Sequence, residues 1–222
     1  MKKLIALGAT ISLVAMASTA QAQFGGVKAP GMGGGNSDGA NSAAGEVDGY
    51  LARSIETAQM MSIAIITLDA AAKQKLEDAG TKAALAAVRN TSDPKELGSK
   101  NTALQSSFDA SKEDNFTAAI EESYKKGSAK QKAAITAALF NMAIAIPRAV
   151  TLAKEGPDLI KGLGTSPANL GKVGKLKAAV SLFSFQVGAT GKFAGKLPGL
   201  MSAVKAKAPA DPKTAKGQTI DL

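Results

Sequence analysis

The stretch that decides the fold is SAKQKAAITAALFNMAIAIPRAVTLA, residues 128–153. Ser128 and Gln131 have the spacing of a capping box, in which each side chain accepts from a backbone N–H that the first helical turn leaves unpaired. The apolar residues after this box recur at steps of three and four, which is the repeat of one helical face. They are Ile135, Leu139, Met142, Ile146, Ala149 and Ala153. The stretch therefore predicts a long helix with one continuous apolar side.

Helical signals also occur on both sides of this stretch. Before it, an apolar run favours a buried helix over 50–77, and Asp93 followed by proline is a typical helix start. After it, Pro157 predicts the end of the central helix, and Pro198 predicts the start of a short last one. The alternation of apolar and polar residues that marks a strand is missing. We therefore predict an all-α fold, a single bundle of five or six helices over 50–205.

The two ends of the predicted bundle have compositions that oppose folding. Residues 23–49 contain nine glycines and few large apolar side chains, which cannot bury enough surface to offset the entropy of ordering. Residues 206–222 are rich in proline, alanine and lysine. We expect a flexible tether at 23–49 and a flexible basic tail at 206–222.

The first 22 residues have the three parts of a cleavable Sec-type signal peptide. Lys2 and Lys3 are followed by an uncharged apolar run at 4–16 and then by small residues up to Ala22. The small residues favour cleavage after Ala22 over retention as a membrane anchor. The chain has no cysteine, which excludes the usual lipid anchor of a bacterial lipoprotein. We expect a bacterial envelope protein, periplasmic or secreted.

The amino-acid composition excludes several kinds of chemistry. There is no cysteine and no histidine, so the chain lacks disulfides, a thiolate nucleophile, an imidazole base and the common zinc sites. Each Gly-Lys pair lacks the earlier glycine and the following Ser or Thr of a phosphate-binding loop. Three Ser-x-x-Lys spacings are close to the number expected by chance. We predict a non-enzymatic protein with no catalytic residue, cofactor or metal.

The charge is unevenly distributed along the chain. Residues 23–122 contain 14 acidic and 9 basic side chains, a net charge of −5, whereas residues 123–222 contain 4 acidic and 16 basic ones, a net charge of +12. This asymmetry favours binding of the basic half to an anionic lipid, lipopolysaccharide or an acidic envelope protein. Nucleic acid is not an expected partner of an exported protein. The candidate residues are Lys172, Lys175, Lys177, Lys192 and Lys196. The alternative is that the lysines only keep an alanine-rich bundle soluble.

A second functional hypothesis is a periplasmic carrier of an apolar small molecule or lipid. It depends on helices that are apolar on nearly all sides and on Pro147, which is expected to kink the central helix and could open a cavity. Arg148 would bind an anionic headgroup at the cavity mouth, or would only extend to solvent. The candidate pocket residues are Phe140, Met142, Ile146, Arg148 and Phe183. The most apolar stretch, 133–146, is short for a bilayer, so no transmembrane segment is expected after signal cleavage.

Glycines recur at short intervals between Gly188 and Gly199. On a helix this spacing exposes a strip of backbone that another element can approach closely. The sequence favours a packing seam or a flexible joint over a membrane-inserting hairpin, and it leaves open whether the segment is helical.

Overall fold

The structure is a computed structural model that describes residues 39–100, 113–163 and 169–222. These residues are mostly helical and include no strand, which confirms the predicted all-α class. The helices, in chain order, are α1 (Gly39–Ala72), α2 (Ala79–Arg89), α3 (94–100), α4 (Glu113–Lys126), α5 (Ala129–Leu163) and α6 (Leu170–Ala203). The predicted signal peptide and residues 23–38 of the predicted tether lie outside the described residues.

The start of α5 confirms the capping box. The backbone N–H of Ser128 donates to Gln131 Oε1 at 2.9 Å, and the N–H of Gln131 donates to Ser128 Oγ at 3.2 Å. Asp93 caps α3 in a similar way, because its Oδ1 accepts from the N–H groups of Lys95 and Glu96 at 2.9 and 3.1 Å. The local signals at both helix starts therefore gave correct predictions.

Three helix boundaries differ from the prediction. α5 continues through Pro157 to Leu163, and α6 continues through Pro198 to Ala203. α1 begins at Gly39, well before residue 50, and it buries Val47 on the way. Packing of apolar side chains on either side of each proline outweighs the missing backbone donor. The segment between Gly188 and Gly199 is consequently helix and not a joint.

The core lies between α1, α5 and α6. α1 and α5 run antiparallel, since Arg53 pairs with Glu155 at 2.8 Å while Glu56, further along α1, pairs with Arg148 at 3.4 Å. α6 packs along α5, and α4 packs on α1, α5 and α6. The rings of Phe116 on α4 and Phe193 on α6 meet edge to face, with centroids 6.1 Å apart.

Gly156 lets these three helices approach closely. A Cβ atom at this position would collide with Val180 Cγ2 on α6 and would lie 2.5 Å from Tyr50 Oη on α1. The buried Tyr50 hydroxyl donates to the Leu152 carbonyl at 2.9 Å, one turn earlier in α5. Burial raises the pKa of Tyr50, because the phenolate would lose its hydration. We call this junction of Tyr50, Gly156 and Val180 the inner seam.

The C-terminal residues, for which the composition predicted a flexible tail at 206–222, make contacts with the bundle. Ile220 is 2% exposed and belongs to the core, and the backbone at Gly217 lies against Met60 of α1. Residues 211–222, called the strap below, have almost no secondary structure beyond a turn at 212–214. The bundle binds these residues mainly through their backbone atoms. Their amino-acid composition therefore could not indicate that they pack on it.

Candidate binding surface

The outer face of α6 combines positive charge with exposed apolar side chains. α6 contains five lysines and no acidic residue. Leu170 is 61% exposed and Phe185 is 43% exposed, and these are the large apolar side chains that the described residues leave exposed. The outer face is the set of exposed residues that share one side of this helix, chiefly Leu170, Lys177, Ser181, Ser184, Phe185, Gly188, Gly191, Gly195, Gly199 and Ser202. Lys175 is exposed too, but it lies about 160° away from Lys177 around the helix.

The five candidate lysines do not occupy equivalent positions. Lys175 and Lys177 are exposed and form no ion pair with the described residues. Lys172 is half-buried, and its Nζ lies 3.1 Å from both carboxylate oxygens of Asp48 on α1. Lys196 is half-buried as well, and the side chain of Lys192 lies outside the described residues. The charge that α6 presents to solvent therefore includes Lys175 and Lys177.

Glycines leave much of the rest of this face without side chains. A Cβ atom built at Gly188, Gly191, Gly195 or Gly199 would meet nothing within 4 Å. The described part of the chain therefore forms no packing seam at these four residues. Together with Ser181, Ser184 and Ser202, they leave a strip of helix backbone accessible to a flat surface.

The inner side of α6 contains a buried amide without partners. Gln186 is fully buried, and neither its Nε2 nor its Oε1 has a hydrogen-bond partner among the described residues. Thr190, one turn later, is also buried, but its hydroxyl donates to the Gln186 backbone carbonyl at 2.7 Å. The side-chain amide of Gln186 therefore loses its hydration without compensation, at a cost in stability.

Four of the five candidate pocket residues belong to the packed core. Met142 and Phe183 are completely buried, and Phe140 and Ile146 are half-buried against the core cluster. Arg148 instead lines a pocket of about 360 Å³ between α1, α5 and the strap. The other residues around this pocket are mostly polar: Arg53, Glu56, Thr57, Thr151, Leu152, Glu155, Lys213, Thr214, Ala215 and Lys216. The structure does not bring the five residues together around one apolar cavity of the described part.

Arg148 binds the strap through its backbone carbonyls. Its Nε donates to the Pro212 carbonyl at 2.8 Å, and its Nη2 donates to those of Lys213 at 3.0 Å and Ala215 at 2.6 Å. Its Nη1 lies 3.4 Å from Glu56. Neither predicted role, headgroup binding or extension to solvent, describes these contacts. The planar guanidinium holds a bend in the strap.

The same bend is stabilised from within the strap by Asp211. Its Oδ1 accepts from the Lys213 N–H at 2.9 Å, and its Oδ2 accepts from the Thr214 hydroxyl at 3.0 Å. These two donors, the Lys213 N–H first, lower the pKa of Asp211. The turn is therefore formed with an ionised carboxylate.

Asn141 and Arg89 also bind the backbone of the strap, further along it. Neither residue was among the candidates predicted from the sequence. Asn141 Nδ2 donates to the Gln218 carbonyl at 2.8 Å, and its Oδ1 accepts from the Gln218 N–H at 2.7 Å. Arg89 Nη2, at the end of α2, donates to the Ile220 carbonyl. Asn141 and Arg148 are seven residues apart, so they lie on one face of an otherwise apolar helix. The seven-residue spacing of these two polar residues was the signal in the sequence that could have indicated a polar segment packed against this face of α5.

Two helices are long and apolar enough to cross a membrane, judged by length and composition only. They are Gly45–Ala72, within α1, and Ala129–Leu163, which is α5. Their most apolar windows are 67% and 56% buried by the rest of the fold. Central helices of a soluble protein have the same properties, so this observation is weak evidence for a membrane span.

The chain matches no protein-family model, no curated protein and no solved structure. Within the described ranges, no three acidic, histidine or cysteine side chains are grouped so that they could hold a metal ion.

Proposed function

We propose that the chain is an exported, non-enzymatic envelope protein that binds an anionic membrane surface through the outer face of α6. The observation that carries the proposal is the coincidence, on one helix without acidic residues, of exposed lysines and the exposed side chains Leu170 and Phe185. Amphipathic surfaces of this kind bind membranes by burying apolar groups at the headgroup boundary while cations attract anionic lipids. Each lysine near an anionic surface contributes about 1 kcal/mol.

The sequence supports the cellular setting of this proposal. Residues 1–22 have the pattern of a signal peptide with cleavage after Ala22, which favours the periplasm or secretion. We keep the finer prediction of a single bundle of five or six helices as part of the proposal, with α1 and α5 as core helices and no transmembrane segment. The exposed apolar pair favours a membrane over an acidic protein partner, because lipid can receive Leu170 and Phe185.

The alternative function, a carrier of an apolar ligand, has less support. Met142 and Phe183 are enclosed by neighbouring side chains, and most residues around the pocket at Arg148 carry a charged or polar group. A ligand of low polarity would have to displace core side chains to reach the predicted residues.

Co-sedimentation with vesicles tests the membrane proposal. The mature chain is mixed with vesicles of neutral phospholipid, of 30% anionic phospholipid (roughly the charge density of an anionic leaflet), or of neutral lipid containing lipopolysaccharide. We expect salt-sensitive binding to both anionic preparations, which share phosphate groups, and weak binding to neutral vesicles. The double substitution Lys175→Gln, Lys177→Gln should remove about 1 kcal/mol of binding free energy, roughly a fivefold loss of affinity, because only Lys177 of the two lies on the outer face.

A charge-matched variant is the control. Lys154→Gln, Lys161→Gln removes two exposed lysines from α5 and leaves α6 intact. We expect a much smaller loss of affinity for this variant, and Phe185→Ser should weaken binding even at high salt. Equal losses for the two double variants, or no affinity for anionic vesicles at low salt, would contradict the proposal.

A further inference from the structure

The strap lies in a groove whose walls come from three helices. From its start to its end, the strap contacts Arg148 of α5, Met60 of α1, Asn141 of α5 and Arg89 of α2. We call these four residues the strap groove. Arg89, Asn141 and Arg148 bind backbone atoms of the strap, so the groove recognises an extended chain with a defined bend.

Two positions of the strap restrict which sequence fits. A Cβ atom at Gly217 would lie 2.8 Å from Met60 Cε and 3.4 Å from Asn141 Oδ1, so a side chain at this position would require the end of the Met60 side chain to move. Three residues later, Ile220 is buried in the core. The groove therefore favours an extended segment with a small residue and then an aliphatic residue at the third position after it. The strap of this chain meets these requirements and occupies the groove.

The connection between α6 and the strap is suited to opening. Lys205, directly after the C-cap of α6, has φ of 56°, a left-handed conformation that is unfavourable for a residue with a side chain. Residues 207–210 make no hydrogen bond with the described part of the chain. Opening at Lys205 would relieve the unfavourable φ and would break two backbone hydrogen bonds, from the Lys205 N–H to the Ser202 carbonyl at 3.0 Å and from the Ala206 N–H to the Met201 carbonyl at 2.8 Å. Residues 207–210 would lose no hydrogen bond.

We propose that the strap groove is an interaction surface for the strap of a second copy of this chain. Every contact between strap and groove can form between two copies as well as within one, since the two segments are identical in each copy. Exchange of an identical element is a low-cost route to a dimer, and a strained hinge favours it. Within one copy the strap is tethered and has a high effective concentration at its own groove. Exchange between copies competes with this intramolecular binding, so it increases with protein concentration. This inference does not depend on membrane binding.

Cross-linking between single-cysteine variants of the full mature chain tests the exchange. The chain contains no cysteine, so Thr151→Cys in α5 and Lys216→Cys in the strap each introduce one thiol. Both residues are exposed and line the pocket beside Arg148, so a short dimaleimide reagent can join them when the strap occupies the groove. With one thiol in each copy, a joined pair requires the strap of one copy to lie in the groove of the other.

The two variants are mixed over a range of concentrations, incubated, and treated with the reagent. The matched control mixes Lys216→Cys with Ser184→Cys, whose thiol lies on the outer face of α6 away from the strap groove. We expect several-fold more hetero-dimer from the Thr151→Cys mixture, with a yield that increases with concentration.

Substitutions at the hinge sharpen the test. Lys205→Pro cannot adopt a positive φ and should increase the dimer yield, whereas Lys205→Gly adopts it without strain and should decrease the yield. Helix content measured by circular dichroism confirms that both variants are folded. Equal hetero-dimer yields in the Thr151→Cys and Ser184→Cys mixtures, with no response to either hinge substitution, would overturn the proposal.

Discussion

The inner seam and the outer face of α6 use the same kinds of residue in opposite ways. At the seam, Gly156 is necessary because Val180 and Tyr50 occupy the space that a side chain would take. On the outer face, Gly188, Gly191, Gly195 and Gly199 have open space around them. One glycine allows three helices of the same chain to pack, while the other four leave a helix accessible from outside.

The basic residues show the same contrast. Arg148 is surrounded by three strap carbonyls and Glu56, with its side chain only 16% exposed. Lys175 and Lys177 are exposed, with no ion pair among the described residues. All three contribute equally to the net charge of the C-terminal half. Net charge therefore overstates the positive surface, and the position of each side chain decides whether it stabilises the fold or attracts a partner.

The largest expected effect comes from adding a methyl group at the two kinds of glycine. Gly156→Ala should lower the free energy of unfolding by about 3 kcal/mol, because the new Cβ collides with Val180 and Tyr50 in a packed seam. Gly195→Ala should raise it by about 0.5–1 kcal/mol, since alanine favours helix and nothing obstructs it there. Urea denaturation measures both changes. Effects of the same sign would remove the distinction between seam and outer face.

The next effect concerns the two kinds of cation. Arg148→Met should destabilise the chain by about 1–3 kcal/mol, because it removes the donor to three strap carbonyls. Amide hydrogen exchange should become faster in residues 211–222 than elsewhere. Lys177→Met, an exposed substitution, should change stability by less than about 0.5 kcal/mol. Unchanged exchange in the strap of the Arg148→Met variant would show that the carbonyl contacts do not hold it.

A third effect separates the two sides of α6. Gln186→Met should increase the free energy of unfolding by about 1–2 kcal/mol, because an apolar side chain of similar size replaces an amide that is buried without partners. Ser184→Met, on the exposed side, gives no comparable gain and serves as the control. A loss of stability in the Gln186→Met variant would show that the amide has a role in packing or binding.

The smallest effect is a pH dependence of the seam. Because burial raises the pKa of Tyr50 in the folded state above its ordinary value of 10.0, the folded chain retains the proton that the unfolded chain loses. This contribution to stability is complete below pH 10 and decreases as pH rises above it. Denaturation of the native chain and of Tyr50→Phe should give free energies that converge over this range. A constant difference between them would contradict the burial effect.

Local signals were sufficient for much of the fold. Ser128 with Gln131, and Asp93, predicted the starts of α5 and α3 correctly, because a cap involves neighbours in sequence. Pro157 and Pro198 gave wrong helix ends, since tertiary packing decides whether a proline interrupts a helix or is tolerated within it. The start of α1 before residue 50 has the same origin, because the burial of Val47 depends on helices far along the chain.

The candidate surface was predictable in part. The sequence indicated a basic C-terminal half, and Lys175 and Lys177 are exposed as that hypothesis requires. The exposure of Phe185 could not be distinguished from the burial of Phe183, two positions away, without knowing the orientation of the helix. The strap could not be predicted from composition because Arg148 and Asn141 recognise backbone atoms, which every residue carries.

The pairing of α1 with α5 has a consequence for biosynthesis. Tyr50 meets Leu152, and Arg53 meets Glu155, across 102 positions of the chain. At synthesis rates of about 5–20 residues per second, α1 exists for about 5–20 s before its main partner is made. During that time only α2 and α4 are available to pack on α1, and the side that α5 covers stays exposed. Nascent chains are therefore expected to be prone to aggregation during this interval.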